Sequence, residues 1–453
     1  MMKLIARRSL RLQSLRRATN LYGSSCSFAQ AARSLSSRVE EQHTPHPSNG
    51  LETANTLGEV KQQQRQPGFV TELFHVDTTQ EPLIPSFRIL DEKGKVLTSK
   101  REFELADDDI LSMYRTMSQV QAIDHIFMQA QRHGRISFHM QNAGEEGLQV
   151  GSAAALSSKD HVYSQYRELG VFLWRGFDVQ QIAHQCTSNM NDLGKGRQMP
   201  MHFGSQALNL HTISSPLATQ LPQASGTAYA LKRRGEDACV VCYFGDGAAS
   251  EGDFHAALNF ASTLECPVIF FCRNNGWAIS TPAHEQFRGD GIISRAPGYG
   301  MRGIRVDGND MLAVYEATKV AREYAVSESR PVIVEAMTYR RSHHSSSDDS
   351  TTYREKDELV WWQQNNDPVA RIRLYLESRG LWDSQQEAEL KIALKKETVQ
   401  SLNNAEKLPK PPIDDLFTDV YKEMPKRLRE QQEDLEAHIR KYAPEYDVSN
   451  FKS

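Results

Sequence analysis

The chain has 453 residues, 39% of them hydrophobic and 24% charged, with a formal net charge of −4. This composition is ordinary for a globular protein, and the length suits two or three domains or one large α/β domain with extensions. The acidic balance argues against a nucleic-acid partner, and no apolar run approaches the roughly 18 residues of a membrane helix.

Residues 1–38 carry Lys3 and seven arginines (Arg7, Arg8, Arg11, Arg16, Arg17, Arg33, Arg38) among many serines, and the first acidic residue is Glu40. A basic, serine-rich, acid-free segment of this kind predicts a mitochondrial transit peptide. Its removal would lower the net charge from −4 to −12. Residues 39–66 are polar and read as a disordered connector. Residues 67–105 hold short apolar groups broken by Pro82 and Pro85, which suggests an ordered arm lying on another surface. From Asp107 the apolar positions Ile110, Met113, Met117, Val120 and Phe127 recur at helical spacing, with acidic residues at the start and Gly134 as the stop.

Residues 106–353 read as an α/β domain. Ser164-Gln165-Tyr166-Arg167 follows a short apolar run and is expected at a strand end, where Arg167 could fork onto phosphate oxygens and Tyr166 offer a hydroxyl; an ion pair is the plainer reading of the arginine. Gly194-Lys195-Gly196-Arg197 lacks the spacing of a P-loop and reads as a structured loop. In Thr212–Gln220, hydroxyls, carbonyls and an amide lie close enough to ring a monovalent cation, although the same residues also spell an ordinary capped helix start.

Val240–Phe244 and Val268–Phe271 are apolar runs separated by a helix-like segment from about Glu251, the pattern of buried parallel strands. Gly245-Asp246-Gly247 and Arg273-Asn274-Asn275-Gly276 then fall at the carboxyl ends of neighbouring strands, where open α/β sheets bind ligands. Asp246 and Asn275 supply the oxygen types that Mg²⁺ takes beside phosphates and water. The two glycines would expose N–H groups, and the following helix would turn its positive end to the phosphates. Each piece taken alone also reads as a plain turn. Cys239 and Cys242 face opposite sides of one strand and are expected to be buried free thiols. Gly298–Gly303 spells GxGxxG but precedes a strand, so it is not a dinucleotide fingerprint. Asp310–Val326 reads as a helix, Pro331–Ala336 as a buried strand, and Tyr339–Ser350 as a polar loop with paired histidines but no third metal ligand. Residues 354–453 are helical and charged, with Trp361, Trp362, Leu374 and Leu376 as expected packing anchors and Glu430–Lys441 as a solvated helix.

The pairing of Gly245-Asp246-Gly247 with Asn274-Asn275 matches the thiamine diphosphate motif, and GDGAASEGDFHAALNFASTLECPVIFFCRNNGWAIST resembles the alpha subunits of branched-chain 2-oxoacid dehydrogenases. GRISFHMQNAGEEG, SQYRELG, GKGRQMP, TISSPLATQLPQASG and SHHSSSDDS extend the resemblance from about Phe69 to the C-terminus. It implies a parallel-sheet thiamine diphosphate-binding α/β fold with helices on both faces, an N-terminal arm that packs on neighbouring subunits, and a helical C-terminal region. Gln165, Tyr166, Arg167, Ser215, Leu217, Gly247, Ala248, Arg273 and His344 correspond to cofactor-binding positions, with Leu217 beneath the bent cofactor. Asp246, Asn275 and the Trp277 carbonyl correspond to Mg²⁺ ligands; Ser214, Pro216, Thr219 and Gln220 correspond to K⁺ ligands. His344, Ser215 and Arg340 correspond to residues lining the reaction centre, and Ser345 to a serine phosphorylated by a dedicated kinase and restored by a phosphatase.

The implied reaction is oxidative decarboxylation of branched 2-oxo acids, with transfer of the acyl group to a lipoyl-bearing acyltransferase core. It takes place in the mitochondrial matrix, in a heterotetramer with a beta subunit that supplies the activating glutamate. A pyruvate dehydrogenase alpha subunit and a non-catalytic scaffold of the same fold are the alternatives. Departures from the family pattern are Trp277 for tyrosine, His139 for another aromatic, and Glu355 where a second phosphorylated serine can stand.

Overall fold

The computed structural model describes residues 70–73, 75–77, 82–98 and 105–452. The expected transit segment and connector lie outside them. The chain divides after His75, and all that follows concerns the unit from Val76 onward.

Among the described residues eight strands form: β1 (His161–Tyr163), β2 (Leu210–His211), β3 (Val240–Gly245), β4 (Val268–Asn274), β5 (Trp277–Ala278), β6 (Thr281–Pro282), β7 (Arg302–Asp307) and β8 (Val332–Met337). Six of them make one sheet in the order β2-β1-β3-β4-β8-β7, parallel throughout, while β5 and β6 form a small antiparallel hairpin. Both predicted central strands are present, and every residue of β3 and β4 is buried. Continuous apolar runs of this kind mark strands covered on both faces.

The helices are α1 (Asp107–Arg132), α2 (Glu146–Ala154), α3 (Leu169–Trp174), α4 (Val179–Thr187), α5 (Gln220–Arg234), α6 (Gly252–Thr263), α7 (Ala283–Gln286), α8 (Met311–Glu328), α9 (Lys356–Asn365), α10 (Pro368–Ser378), α11 (Ser384–Glu406) and α12 (Lys426–Lys441). Because strand side chains alternate, the sheet feeds two cores. Val241, Tyr243, Ile269, Phe271 and Val334 join residues of α1–α4, α8, α10 and α11 on one face. Val240, Cys242, Phe244, Phe270 and Ile333 join α5 and α6 on the other. Cys239 and Cys242 fall in opposite cores as buried free thiols.

Residues 84–90 of the arm lie along the edge strand β7 of their own chain. Phe87 N–H donates to Arg305 O at 2.9 Å, and the Ile89 and Leu90 N–H groups donate to Asp310 Oδ2 at 2.7 and 2.6 Å. The GxGxxG run leads into β7 and opens no helix. Lys195 and Arg197 pair with Asp419, so their loop is satisfied by its own chain. Of the expected anchors, Leu376 is fully buried and Trp362 stacks on Tyr339 at 4.9 Å, but Trp361 and Leu374 are 53% and 37% exposed. Helix α9 buries no residue, so its apolar positions had no core to face.

Candidate active site at the carboxyl edge of the sheet

After β1 the chain passes to α3 and α4 on one face of the sheet, whereas after β3 it passes to α6 on the other. The loops following β1 and β3 therefore diverge and open a crevice at the carboxyl edge, the switch point at which doubly wound sheets bind ligands. Gln165 spans it, with its Oε1 accepting the Gly245 N–H at 2.7 Å. That N–H is thus engaged within the protein and is not presented to a ligand. Gly247 has ordinary helical dihedrals, and a Cβ there would come within 2.8 Å of Ala278 Cβ. The absence of a side chain lets the β5–β6 hairpin close over the loop. A 3-10 turn, Ala248–Ser250, separates this loop from α6, which begins at Gly252, where the sequence places it.

Two guanidinium groups line the crevice, and both are buried. Arg167 donates to His344 O at 2.7 Å and to Gln141 O, and Arg273 Nε donates to Glu168 Oε1 at 2.7 Å. Tyr166 lies between them, its ring 5.7 Å from the Arg167 guanidinium carbon and 5.2 Å from that of Arg273. Glu168 also accepts the Gln165 and Tyr166 N–H groups at 3.0 and 2.9 Å, which fixes the turn after β1. A second carboxylate, Glu145, approaches Arg167 Nε at 3.8 Å and Arg273 Nη1 at 3.7 Å. It follows Gly144, whose φ of +97° and whose missing Cβ, 2.2 Å from Tyr339 O, admit no side chain. Burial opposes the Arg273 charge, but Glu168 and then Glu145 outweigh it and raise its pKa. Despite these pairings Arg273 Nη2, Arg167 Nε and Glu145 Oε2 are buried with no hydrogen-bond partner.

Asp246, at the end of β3, is buried, and its carboxyl is pushed up to about 6, chiefly by desolvation. Its Oδ2 accepts from Gln286 Nε2 at 2.9 Å. Asn275, after β4, donates from Nδ2 to Glu145 Oε1 at 2.8 Å, and its Oδ1 accepts the Trp277 N–H at 3.1 Å. The Trp277 carbonyl lies 3.4 Å from Arg340 Nη1, while Arg340 Nη2 donates to Ile279 O at 2.8 Å. Arg340 thereby ties the loop after β8 to the hairpin. Burial, then Arg167 and Arg354, lower its pKa to about 10.

The loop after β8 is packed, contrary to the solvated loop its composition suggests. Arg354 Nη2 donates to Ser342 O at 2.6 Å and Ser350 Oγ at 2.9 Å, and His343 Nδ1 lies 2.9 Å from Ser350 Oγ. His344 Nε2 is 3.1 Å from the Tyr166 hydroxyl. Burial, with Arg167, Arg340 and Arg273 around it, lowers His344 to about 3, so the ring is neutral at physiological pH. Ser345 is buried, its Oγ accepting the Ser347 N–H at 3.3 Å.

The Thr212–Gln220 segment stands at the start of α5. Thr219 Oγ1 lies 3.4 Å from Ser214 Oγ and 3.2 Å from Pro216 O, an oxygen cluster of the kind a monovalent cation needs. Gln220 Nε2 donates to Tyr243 O at 3.0 Å and ties the segment to β3. Thr219 makes no side-chain cap, so the helix start is not the ordinary capped one. Ser215 and Leu217 are exposed, and Ser215 Oγ meets His202 Nε2 at 2.7 Å.

Four neighbouring strands, β1, β3, β4 and β8, thus bring together Gln165, Tyr166, Arg167, Arg273, Arg340 and His344, with Asp246 and Asn275 on adjacent turns. Sequence reasoning missed Glu145, Glu168, Gln286 and His202. The first two lie inside the quoted runs QNAGEEG and SQYRELG, where an acidic residue within a motif was the available signal. Unmet buried guanidinium donors suit the oxygens of a diphosphate, and a desolvated carboxyl beside an amide suits a hard divalent cation.

Residues 114–414 match the family described as Dehydrogenase E1 component. The chain is 53% identical over 370 residues to a protein of Dictyostelium discoideum named 2-oxoisovalerate dehydrogenase subunit alpha, mitochondrial, covering 81% of this chain and 84% of that one. Proteins of the same name from Pan troglodytes (51% over 368 residues, 81% and 83%) and Mus musculus (47% over 421 residues, 93% of each) are also similar.

Proposed function

The chain belongs to the dehydrogenase E1 component family, and we propose that it is the alpha subunit of a mitochondrial branched-chain 2-oxoacid dehydrogenase. The unmet donors Arg273 Nη2 and Arg167 Nε, buried where four strand ends meet, are the observation that carries this reading. They match a doubly charged phosphate group better than any neutral ligand. The names of the relatives favour a branched substrate over pyruvate.

Thiamine diphosphate, when bound, supplies the electron sink for decarboxylation. Arg167, Arg273, Gln165 and Tyr166 would hold its diphosphate, assisted by the backbone at Gly247 and Ala248. Asp246, Asn275 and the Trp277 carbonyl would hold Mg²⁺, whose charge would offset the desolvation that raises Asp246. Ser214, Pro216, Thr219 and Gln220 would hold K⁺, stiffening the segment that presents Ser215 and Leu217 to the cofactor. Neutral His344 is suited to exchange a proton or donate a hydrogen bond at the reacting group without repelling the arginines around it. Arg340 lines the same side. A beta subunit would complete the site, and the acyl group would pass to a lipoyl group of an acyltransferase core in the matrix.

We also propose residues 1–38 as transit peptide, 39–66 as connector, 67–105 as arm, 106–353 as the cofactor-binding domain and 354–453 as a helical extension. Ser345 is proposed as a kinase and phosphatase target. Because it is buried, phosphate there would force the loop out and repel the diphosphate. A Ser345→Glu complex with full activity and unchanged cofactor affinity would refute this.

The deciding experiment compares turnover of 3-methyl-2-oxobutanoate and pyruvate by the chain co-expressed with a beta subunit, with and without thiamine diphosphate and Mg²⁺. Cofactor-dependent turnover preferring the branched acid is expected. Preference for pyruvate would reassign the substrate, and a folded complex that binds no cofactor would point to a scaffold.

A further inference from the structure

We infer that Glu145 is a positioning residue that fixes the amide of Asn275 for the metal and favours the cation over the free diphosphate. The inference rests on the functional reading above. Glu145 is fully buried, and its Oε1 accepts from Asn275 Nδ2 at 2.8 Å. On the far side of the same amide, Oδ1 accepts the Trp277 N–H at 3.1 Å. An amide flipped by half a turn would set Oδ1 against a carboxylate and its NH₂ against an N–H donor, so these two contacts permit one orientation only. The oxygen of Asn275 is thereby turned away from Glu145, with a lone pair left over after the Trp277 contact. A metal ligand whose other atoms are held by a neighbouring carboxylate is the arrangement that tunes metal affinity in characterised sites.

Charge gives Glu145 a second effect. Its Oε1 stands 3.8 Å from Arg167 Nε and its Oε2 3.7 Å from Arg273 Nη1, close to both guanidinia but without a hydrogen bond to either. A carboxylate placed between the arginines and Asn275 attracts a divalent cation and repels an uncomplexed diphosphate. It therefore favours binding of the metal and the diphosphate together. Glu168, by contrast, is bonded directly to Arg273 and to two backbone N–H groups, and it orients the arginine and the turn after β1.

The test uses the co-expressed alpha–beta complex, titrated with Mn²⁺ in the presence of thiamine diphosphate by electron paramagnetic resonance, and with inorganic pyrophosphate in chelator by calorimetry. Glu145→Gln keeps the shape but removes the charge and the acceptor-only face. It is expected to weaken Mn²⁺ about 10–100-fold and to leave pyrophosphate binding unchanged or tighter. A purely structural role would weaken both. Equal loss of both ligands, or loss of neither, overturns the inference. Should Glu145→Gln not assemble, Glu145→Asp carries the same test: it keeps the charge but withdraws the acceptor from Asn275, and Mn²⁺ alone should weaken. A wild-type complex that binds neither Mn²⁺ nor thiamine diphosphate would instead refute the functional reading.

Discussion

Among the described residues, two of the arginine–carboxylate clusters buried along the parallel sheet differ in how completely their donors are used. Around Arg305 every donor is used: Nε and Nη2 reach Glu335 Oε2 at 3.1 and 3.0 Å, Nη1 reaches Asp290 Oδ1 and Ile84 O, and Nη2 reaches Asp290 O. Glu335 further accepts from Asn274 Nδ2 at 2.8 Å and from the Ile292 and Ile293 N–H groups. A Cβ on Gly291, which has φ +66°, would meet that carboxylate at 2.6 Å. Around Arg167 and Arg273, donors and an acceptor remain unmet. Adjacent asparagines feed the two clusters, Asn274 the finished one and Asn275 the unfinished one. Buried polar groups are nearly always satisfied, so a cluster with leftovers is organised for something that joins it, whereas a cluster without them holds the chain together.

If that distinction is real, the largest effect on stability comes from the finished cluster. Glu335→Ala would take two of the five hydrogen bonds of the buried Arg305 and should cost about 3–5 kcal/mol, equally with and without cofactor. Chemical denaturation of the complex measures it, and a loss below about 1 kcal/mol would erase the contrast.

Next comes Glu146, fully buried beside the unfinished cluster, with Gly144 N–H at 2.9 Å, Gln121 Nε2 at 3.3 Å and Arg341 at 3.8 Å as its partners. Burial, only partly offset by Arg341, pushes its carboxyl up to about 7 from an ordinary 4.5. The folded protein keeps this proton to about pH 7 while the unfolded chain releases it near pH 4.5, so the folded state binds more protons in between. Stability should therefore fall as pH rises through that window, by about 3 kcal/mol in total. Glu146→Gln should abolish this component and be the more stable protein at pH 8. An unchanged pH profile in the variant would show that Glu146 is paired as fully as Glu335.

The third test stays within the unfinished cluster. Arg273→Lys keeps a charge beside Glu168 but loses the fork. Thiamine diphosphate affinity should fall about 10–100-fold, the worth of one or two hydrogen bonds to a charged group, while stability without cofactor moves by less than about 1 kcal/mol. If instead stability falls and affinity does not, Arg273 belongs with Arg305.

The central strands are easier to foresee from the sequence than the side-chain clusters they carry. β3 and β4 are legible because apolar runs closed by Gly-Asp-Gly and Asn-Asn-Gly have one plausible fate in an α/β chain, and the order of their turns places Asp246 and Asn275. β1 and β2, with three and two residues, carry no periodic signal, so only the short apolar run before it places Arg167 at a strand end. Glu145 and Glu168 could be read as letters but not as partners, because their roles depend on contacts 130 and 105 residues away in the chain. Trp361 failed for the opposite reason: a large apolar side chain invites a core assignment, but α9 offers none.

The smallest effect tests how loosely the unfinished cluster is held before a ligand joins it. The Tyr166 hydroxyl meets the neutral His344 ring at 3.1 Å, while the Tyr166 ring is fixed independently between two guanidinia. Removing the hydroxyl in Tyr166→Phe should therefore cost about 1 kcal/mol or less, felt as faster hydrogen exchange in residues 343–348 and not as global unfolding. Cofactor affinity should drop about fivefold, because the loop carrying His344 must then be ordered by the ligand alone. A cost near that of Glu335→Ala would mean that the Tyr166–His344 contact is part of the scaffold, and the unmet donors beside it would need another explanation.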